Sequence, residues 1–222
     1  PHARHPYVLG GESVGGDEWL GAFVPDDARI GMRRDAAGVD RHVSVDEDVA
    51  TLLGYYAAEG FARAQETSKG TLHQTTLCGT EAEAREFFLD TLRDEFGVDP
   101  YEENQAKVTA SGRLLRTLFD TVLDAGVRAE DKRVPQLVFD APDDVVAAYL
   151  RGYFSGDGTA SERKVSVSAT TVSHGLKEDL LALLTRLGIV ARVDARDPVP
   201  LHRRFPDFYD ADDPSETAGR YV

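Results

Sequence analysis

Two acids are the residues of this chain best placed to do chemistry. Glu59 closes the stretch LLGYYAAEG (Leu52 to Gly60), and Asp157 closes LRGYFSGDG (Leu150 to Gly158). Each stretch reads as an apolar helix with a glycine inside it, and each acid is followed by glycine. A carboxylate at a helix C-terminus opposes the helix dipole, which favours cations there. One such acid means little, but two in matched contexts ask for a common cause. A near-repeat of this kind signals duplicated architecture. If the helices lie side by side, Gly54, Ala57 and Ala58 can face Gly152, Ser155 and Gly156 at close approach, by the logic of small-residue helix contacts. The two carboxylates then converge at one end of the pair. Like charges held together raise one pKa or recruit a cation. Oxygen-only ligands favour a hard ion such as Mg²⁺ (or Mn²⁺). Carboxylate-bound Mg²⁺ can activate water and stabilise a phosphoryl leaving oxygen.

The elements that must carry these acids follow from the rest of the chain. Residues 1–44 are rich in glycine, aspartate and proline, with short apolar runs (Tyr7-Val8-Leu9; Trp19 to Val24), and read as loops and short strands. Ser44-Val45-Asp46-Glu47 has the spacing of a capping box, predicting a helix from about Val45 to Glu59. A hairpin turning at Ser68-Lys69-Gly70 comes next. An amphipathic helix, Glu81 to Phe96, is broken by Gly97-Val98-Asp99-Pro100. A second hairpin at about Tyr101 to Ala110 precedes a helix from Gly112 to Asp124. Pro142 suits a first helical turn, and the pattern restarts. It gives a helix over Asp143 to Asp157, strands within Thr159 to Val172, a helix over Ser173 to Leu187 and a strand over Ile189 to Asp194. The fold class is therefore α+β, with an αββαββα unit over 45–140 and a shorter αββαβ unit over 141–196. An irregular segment (1–44) precedes them, and a polar tail (197–222) follows.

Composition narrows the function classes. No apolar run approaches the roughly 20 residues of a membrane span. Cys78 is the only cysteine, which excludes an intrachain disulfide and a cysteine zinc cluster. An intracellular, cytoplasmic site is the default. The chain starts on Pro1 with no initiator methionine, so it reads as a piece of a longer protein. Acids number 39 against 25 bases, a formal net charge of −14. Either a basic partner or a salt-rich cytosol accounts for this, and the even spread of the acids favours the second. Any DNA-facing surface must then be locally basic. The histidines lack close zinc spacing, and neither a Walker loop, a dinucleotide fingerprint nor a nucleophile elbow is present.

The two stretches resemble the paired signature helices of the LAGLIDADG homing endonucleases, of the single-chain, two-repeat kind found inside inteins. RGYFSGDG is close to that family's second motif. LLGYYAAEG fits the first, with glutamate in the acid position. The match covers about Asp46 to Asp194. The resemblance implies a saddle of two antiparallel sheets over double-stranded DNA, formed by a monomer acting as a pseudo-dimer. Its signature helices form the interface (Gly54, Ala58, Gly152, Gly156). Glu59 and Asp157 would hold divalent metal, and water would attack a phosphodiester on each strand. The stretch KRVP resembles the family's lysine-then-proline element, making Lys132 the candidate for positioning the attacking water or offsetting phosphate charge. DNA contacts should come from the concave sheet faces. Strand alternation puts Arg63 and Gln65 on one face with Lys69 at the turn, and His73 and Thr75, or Gln74, on the return strand. Arginine and glutamine suit bidentate reading of guanine and adenine. Arg163, Ser166 and Ser168 are the comparable residues of the second half, and Lys107 and Arg113 are candidates for phosphates.

Two departures from the family pattern stand out. No lysine in the second half matches Lys132, and the last elements there are shortened or absent. His5-Pro6-Tyr7-Val8-Leu9 resembles the histidine block of an intein splicing domain, but His2 stands where that block has threonine. No Cys or Ser begins the chain and no His-Asn pair ends it, so it should not splice as given. The sequence thus points to a metal-dependent, site-specific DNA endonuclease from an intein of a halophilic archaeon. The alternatives are a DNA-binding protein of the same fold without effective nuclease activity, or an inactive fragment of a splicing element.

Overall fold

The computed structural model describes residues 42–194 apart from Lys164, together with short pieces at 8–9, 12–13, 29–31 and 38–40. Four two-residue strands come first. β1 (Val8–Leu9) pairs with β2 (Glu12–Ser13), and β3 (Arg29–Ile30) with β4 (Val39–Asp40), both antiparallel. The second pair is tied to the main body. Asp40 N–H donates to Phe96 O at 3.0 Å, Arg29 donates to the Gly97 carbonyl, and Val39 is buried in the core. The expected histidine block around His5, the run Trp19 to Val24 and the tail lie outside the described residues.

The first unit follows the predicted order. It runs α1 (Glu47–Glu59), β5 (Phe61–Thr67), β6 (Gly70–Cys78), α2 (Ala82–Asp94), β7 (Tyr101–Asn104), β8 (Lys107–Ser111) and α3 (Arg113–Thr117). The four strands form one antiparallel sheet in the order β5-β6-β8-β7. Gly70, at φ +118°, makes the β5–β6 turn, a conformation that glycine tolerates at least cost. The sheet's buried face carries Ala62, Leu77, Val108 and Ala110. These pack with Leu52, Leu53 and Tyr56 of α1, Phe88 and Leu92 of α2, and Leu115 and Phe119 in one core.

The second unit holds α5 (Asp143–Asp157), β9 (Thr159–Ser161), β10 (Ser166–Ser168) and α6 (His174–Arg186), preceded by the short α4 (Gln136–Asp140). Among the described residues its sheet has two strands, and both are largely exposed. The contact of α1 with α5 is the most extensive between any two elements, and Val146, Tyr149, Tyr153, Leu176 and Leu183 continue the same core.

Several expectations need correcting. The N-cap of α1 is Asp46, not Ser44: its carboxylate accepts from Asp48 N and Val49 N, both at 3.0 Å. The helix expected over Gly112 to Asp124 is a short α-helix followed by a π-turn over Leu118–Val122. Ile189 to Asp194 is not a strand. Val190 is 98% exposed, and a strand without a neighbour leaves its backbone ladder unpaired.

Candidate active site

The α1–α5 interface is built from the small residues of the two motifs. A Cβ at Gly54 would overlap the Tyr149 carbonyl oxygen and stand 2.7 Å from the Tyr153 nitrogen. One at Gly152 would overlap the Thr51 carbonyl oxygen, with the Thr51 carbonyl carbon 2.9 Å away. At Gly156 it would meet the Ala58 Cβ at 2.6 Å. The backbones therefore touch directly, which only glycine permits. Thr51 adds a polar stitch, its hydroxyl donating to Glu47 O at 2.7 Å and lying 3.3 Å from Ala148 O. Arg151 reaches across to the same hydroxyl at 3.2 Å and to Glu47 at 3.7 Å.

Both helices end in the same way. Gly60 and Gly158 leave in extended backbone while their N–H groups still donate to Tyr56 O (3.0 Å) and Phe154 O (2.9 Å). A Cβ at Gly60 would lie 2.7 Å from Tyr56 Cα, and one at Gly158 2.9 Å from the Phe154 carbonyl carbon. Glycine is thus required after each acid by crowding, not by a positive φ.

With the backbones in contact, the terminal acids meet. The Glu59 and Asp157 side chains are hydrogen-bonded to each other. Two carboxyl groups can share a hydrogen bond only while one is protonated, and Asp157 is the one whose environment favours the proton. Burial first, then the negative charge of Glu59 and the hydrogen bond, push the Asp157 carboxyl up from 3.8 to about 7. Glu59 is exposed and Asp157 half-buried, so the pair faces solvent. Among the described residues no group of three or more His, Cys, Asp or Glu could hold a metal by itself. A hard divalent cation that keeps several waters and takes one or two carboxylates plus phosphate oxygens fits two exposed carboxyl groups of this kind.

Lys132 lies beneath the end of α1. It is 2% exposed, with Nζ 2.9 Å from Tyr56 O, 3.4 Å from Gly126 O and 3.3 Å from the centre of the Tyr56 ring. Burial pulls its pKa down from 10.5 to about 7. Tyr56 Oη donates to Gly126 O at 2.8 Å, so ring, carbonyl and ammonium form one buried knot. Gly126, at φ +76°, packs against Asp131 and Lys132 so closely that no side chain fits. The ammonium is engaged by carbonyls of the α1 end rather than presented to solvent.

The sheet face away from the helices runs toward the acid pair. Cys78, at the end of β6, lies close enough to Lys107 and Glu59 to feel both charges, although burial is what chiefly raises its pKa. Cross-strand pairs define the outer face: Arg63 opposite Gln74, Gln65 opposite Leu72, and Thr76 opposite Thr109. Arg63 Nε donates to Gln74 Oε1 (2.8 Å), Gln74 Nε2 to Tyr101 Oη (3.1 Å), and Thr109 Oγ1 to Glu103 (3.0 Å). Lys107 stands over the Phe61 ring at 5.7 Å. Gln65 is exposed on this face, and Lys69 is exposed at the turn. His73 and Thr75, expected here, point to the other side. Thr75 is opposite Ala62 and Ala110 and fully buried, and His73 is opposite Ala64. The return-strand residue on the outer face is Gln74.

Arg113 begins α3 and is exposed. Arg163 lies in the exposed β9–β10 turn, and Ser166 and Ser168 lie on β10, opposite Ser161 and Thr159. Ser168 is thus opposite a residue two positions after Asp157, with Ser166 and Arg163 further out toward the turn. Tyr101 and Glu103 belong to the outer-face network and were not singled out in the sequence. β7 reads YEEN, and four exposed polar residues give no periodic signal.

The chain is similar to known proteins in sequence and in fold. Residues 144–204 match the family model of the LAGLIDADG-like domain. The DNA polymerase II large subunit of Haloquadratum walsbyi is 35% identical over 218 residues, 95% of this chain and 10% of that protein. The same subunit of Thermococcus kodakarensis is 39% identical over 163 residues, 72% of this chain and 9% of that protein. The chain thus spans about a tenth of the length of these relatives. The crystal structure of I-DmoI in complex with DNA and Mn shares the fold, at 15% identity and a TM-score of 0.50, covering 72% of this chain and 86% of that one. No helix among the described residues is long and apolar enough to cross a membrane.

Proposed function

We propose that this chain is a metal-dependent, site-specific double-stranded DNA endonuclease of the LAGLIDADG homing type, carried as an intein segment within a DNA polymerase large subunit. The observation that carries this reading is the hydrogen-bonded Glu59–Asp157 pair, delivered by two helices whose backbones touch through Gly54 and Gly152. A protein has little reason to press two carboxyl groups together at a dipole-disfavoured position unless a cation is to sit between them.

Glu59 and Asp157 would hold Mg²⁺ or Mn²⁺. When bound, such an ion supplies charge neutralisation at the scissile phosphodiester and lowers the pKa of water. This chain's residues do the rest. Asp157 gives up its proton as pH passes about 7 and becomes a full anionic ligand. Arg63, Gln65 and Gln74 line an outer sheet face with Lys107 and the turn lysine Lys69, and this face meets the DNA. Lys132 holds the end of α1 from below. The two-unit chain acts as a monomer. The net charge of −14 supports a salt-rich, halophilic archaeal cytoplasm, where screening weakens repulsion between an acidic surface and DNA.

The test is cleavage of a randomised plasmid library by the purified chain in Mg²⁺ or Mn²⁺ at high KCl. Glu59→Gln and Asp157→Asn should each abolish cutting while leaving DNA retention intact. Wild-type cutting rates in both variants would sink the assignment. A second reading, a DNA-binding protein without effective nuclease activity, is favoured by the burial of the Lys132 ammonium. Specific DNA retention with no cutting in either ion would select it.

A further inference from the structure

The loop that carries Lys132 is not held by its own unit alone. Helix α6 of the second unit reaches across and grips it at two backbone groups. Ser173, the N-cap of α6, is 2% exposed. Its hydroxyl donates to Lys132 O at 2.7 Å while accepting from Leu176 N at 3.1 Å. One helical stretch later Asp179 is 7% exposed and accepts three bonds. Val134 N–H donates at 3.1 Å, and Arg133 donates through Nε at 2.6 Å and Nη2 at 2.9 Å. The carbonyl of residue 132 and the N–H of residue 134 are thus both fixed by α6 side chains. Gly175 leaves the room for this, since a Cβ there would stand 2.5 Å from Arg133 Cδ.

Buried charge makes the arrangement costly unless it has a use. Asp179 is an acid inside a helix packed against the core, satisfied by a bidentate arginine and a backbone N–H. An apolar residue could pack there without the desolvation cost. What an apolar residue could not do is set the register of a loop. The first of the two gripped groups is the carbonyl of Lys132 itself, whose Nζ touches the last turn of α1, the turn that ends in Glu59.

We propose that Ser173 and Asp179 of α6 are positioning residues for the nuclease site, acting on Glu59 through Lys132 and the C-terminal turn of α1. This rests on the nuclease assignment above. It gives the reduced second unit two tasks: it brings Asp157 to the site on α5, and it holds the loop that supports Glu59 through α6.

The test is a double-mutant cycle on the full chain, read well below every variant's unfolding temperature. Asp179→Asn, Ser173→Ala and the milder Arg133→Gln should each lower the single-turnover cleavage rate, by about 10-fold or more for Asp179→Asn, since small misplacements in a site carry effects of this size. DNA affinity should change by less than about 2-fold, because uniform binding is untouched. In a Lys132→Met background the same substitutions should change the rate by less than about 2-fold, the mark of a shared route. Equal losses in both backgrounds would overturn the proposal. A second measurement does not need cleavage. With lysine labelled at Cε, the five lysines give five resonances, and that of Lys132 should titrate apart from the others. Asp179→Asn and Arg133→Gln should move its titration toward the ordinary lysine range. If both leave it unchanged, α6 does not position Lys132, whether or not the chain cuts DNA. Absence of wild-type cutting with the titration effect present would instead count against the nuclease assignment alone.

Discussion

Asp157→Asn should make the protein more stable and inactive at once. Lifting a carboxyl from 3.8 to about 7 corresponds to a ceiling of roughly 4 kcal/mol of folding free energy. Asp157 is half-exposed and shares its proton with Glu59, so screening and coupling reduce the expected effect to ~1–2 kcal/mol. The sign follows from proton counting. Below about pH 4 both folded and unfolded chains hold the Asp157 proton, and the acid costs nothing. As pH rises toward 7 the unfolded chain releases it while the folded chain keeps it, so stability falls. Above 7 the folded chain releases it too, and the cost stays constant with two anions side by side. Asparagine carries no charge and can still donate to Glu59. Its advantage should be near zero at pH 3 and complete at pH 8. Urea unfolding of wild type and variant at fixed KCl measures this directly. Millimolar Mg²⁺ at pH 8 should raise the wild-type midpoint and leave the variant's unmoved, because the cation takes the place of the missing proton. A variant no more stable than wild type at pH 8, or one with the same gain at pH 3, would refute the reasoning.

Three further outcomes follow from the same geometry. Gly152→Ala and Gly54→Ala force a methyl into opposing backbone and should each cost about 1–3 kcal/mol or more in urea unfolding, with Gly156→Ala milder because it meets the Ala58 methyl instead. Lys132→Met should stabilise the fold by a few kcal/mol at most below pH 7, where the depressed lysine must be forced to charge, and this gain should fade between pH 7 and 10.5. It is read from the same unfolding curves run across that pH range. On the outer sheet face, Arg63→Ala should weaken DNA binding and lower the slope of log affinity against log salt by about 1 if it neutralises one phosphate, whereas His73→Ala, on the opposite face, should leave that slope unchanged in a fluorescence-anisotropy titration.

The sequence made the helix pair legible and the sheet face illegible, for physical reasons that can be named. Gly54 and Gly152 each stand inside an otherwise apolar helix, where glycine is unfavourable, so close packing was the remaining explanation. The terminal acids were legible because they break the dipole preference twice. Strand β6, by contrast, reads GTLHQTTLC and places polar residues on both faces. Thr75 is fully buried inward while Leu72 is 37% exposed outward, so alternation carried no sense of inside and outside. The start of α1 was misread because two competent caps, Ser44 and Asp46, stand two residues apart, and the S-x-x-E spacing favoured the wrong one. Helix α4 was missed because five residues after Pro135 are too few to show a period. The grip of α6 on residues 132–134 was beyond reach of any local pattern. It joins side chains at 173 and 179 to a loop some forty residues earlier.

The shared pattern of the two motifs conceals different surroundings. Aligned on their glycines, Tyr56 corresponds to Phe154. Tyr56 carries Lys132 on both its ring and its carbonyl, and its hydroxyl holds Gly126. Phe154 packs edge-on against Tyr153, at 5.4 Å and 76°. The first acid therefore ends a helix braced by a buried lysine and the loop around it, and it stands at the rim of a four-stranded sheet. The second ends a helix whose following hairpin is exposed on both faces, and it is the acid that retains the proton. Duplication explains why the two carboxyl groups meet. It does not make them equivalent: Glu59 is the better-supported group and Asp157 the one whose pKa is raised by burial and by its neighbour. The second unit contributes to the site through what it brings to the first, an acid on α5 and a clasp on α6, more than as a second copy of it.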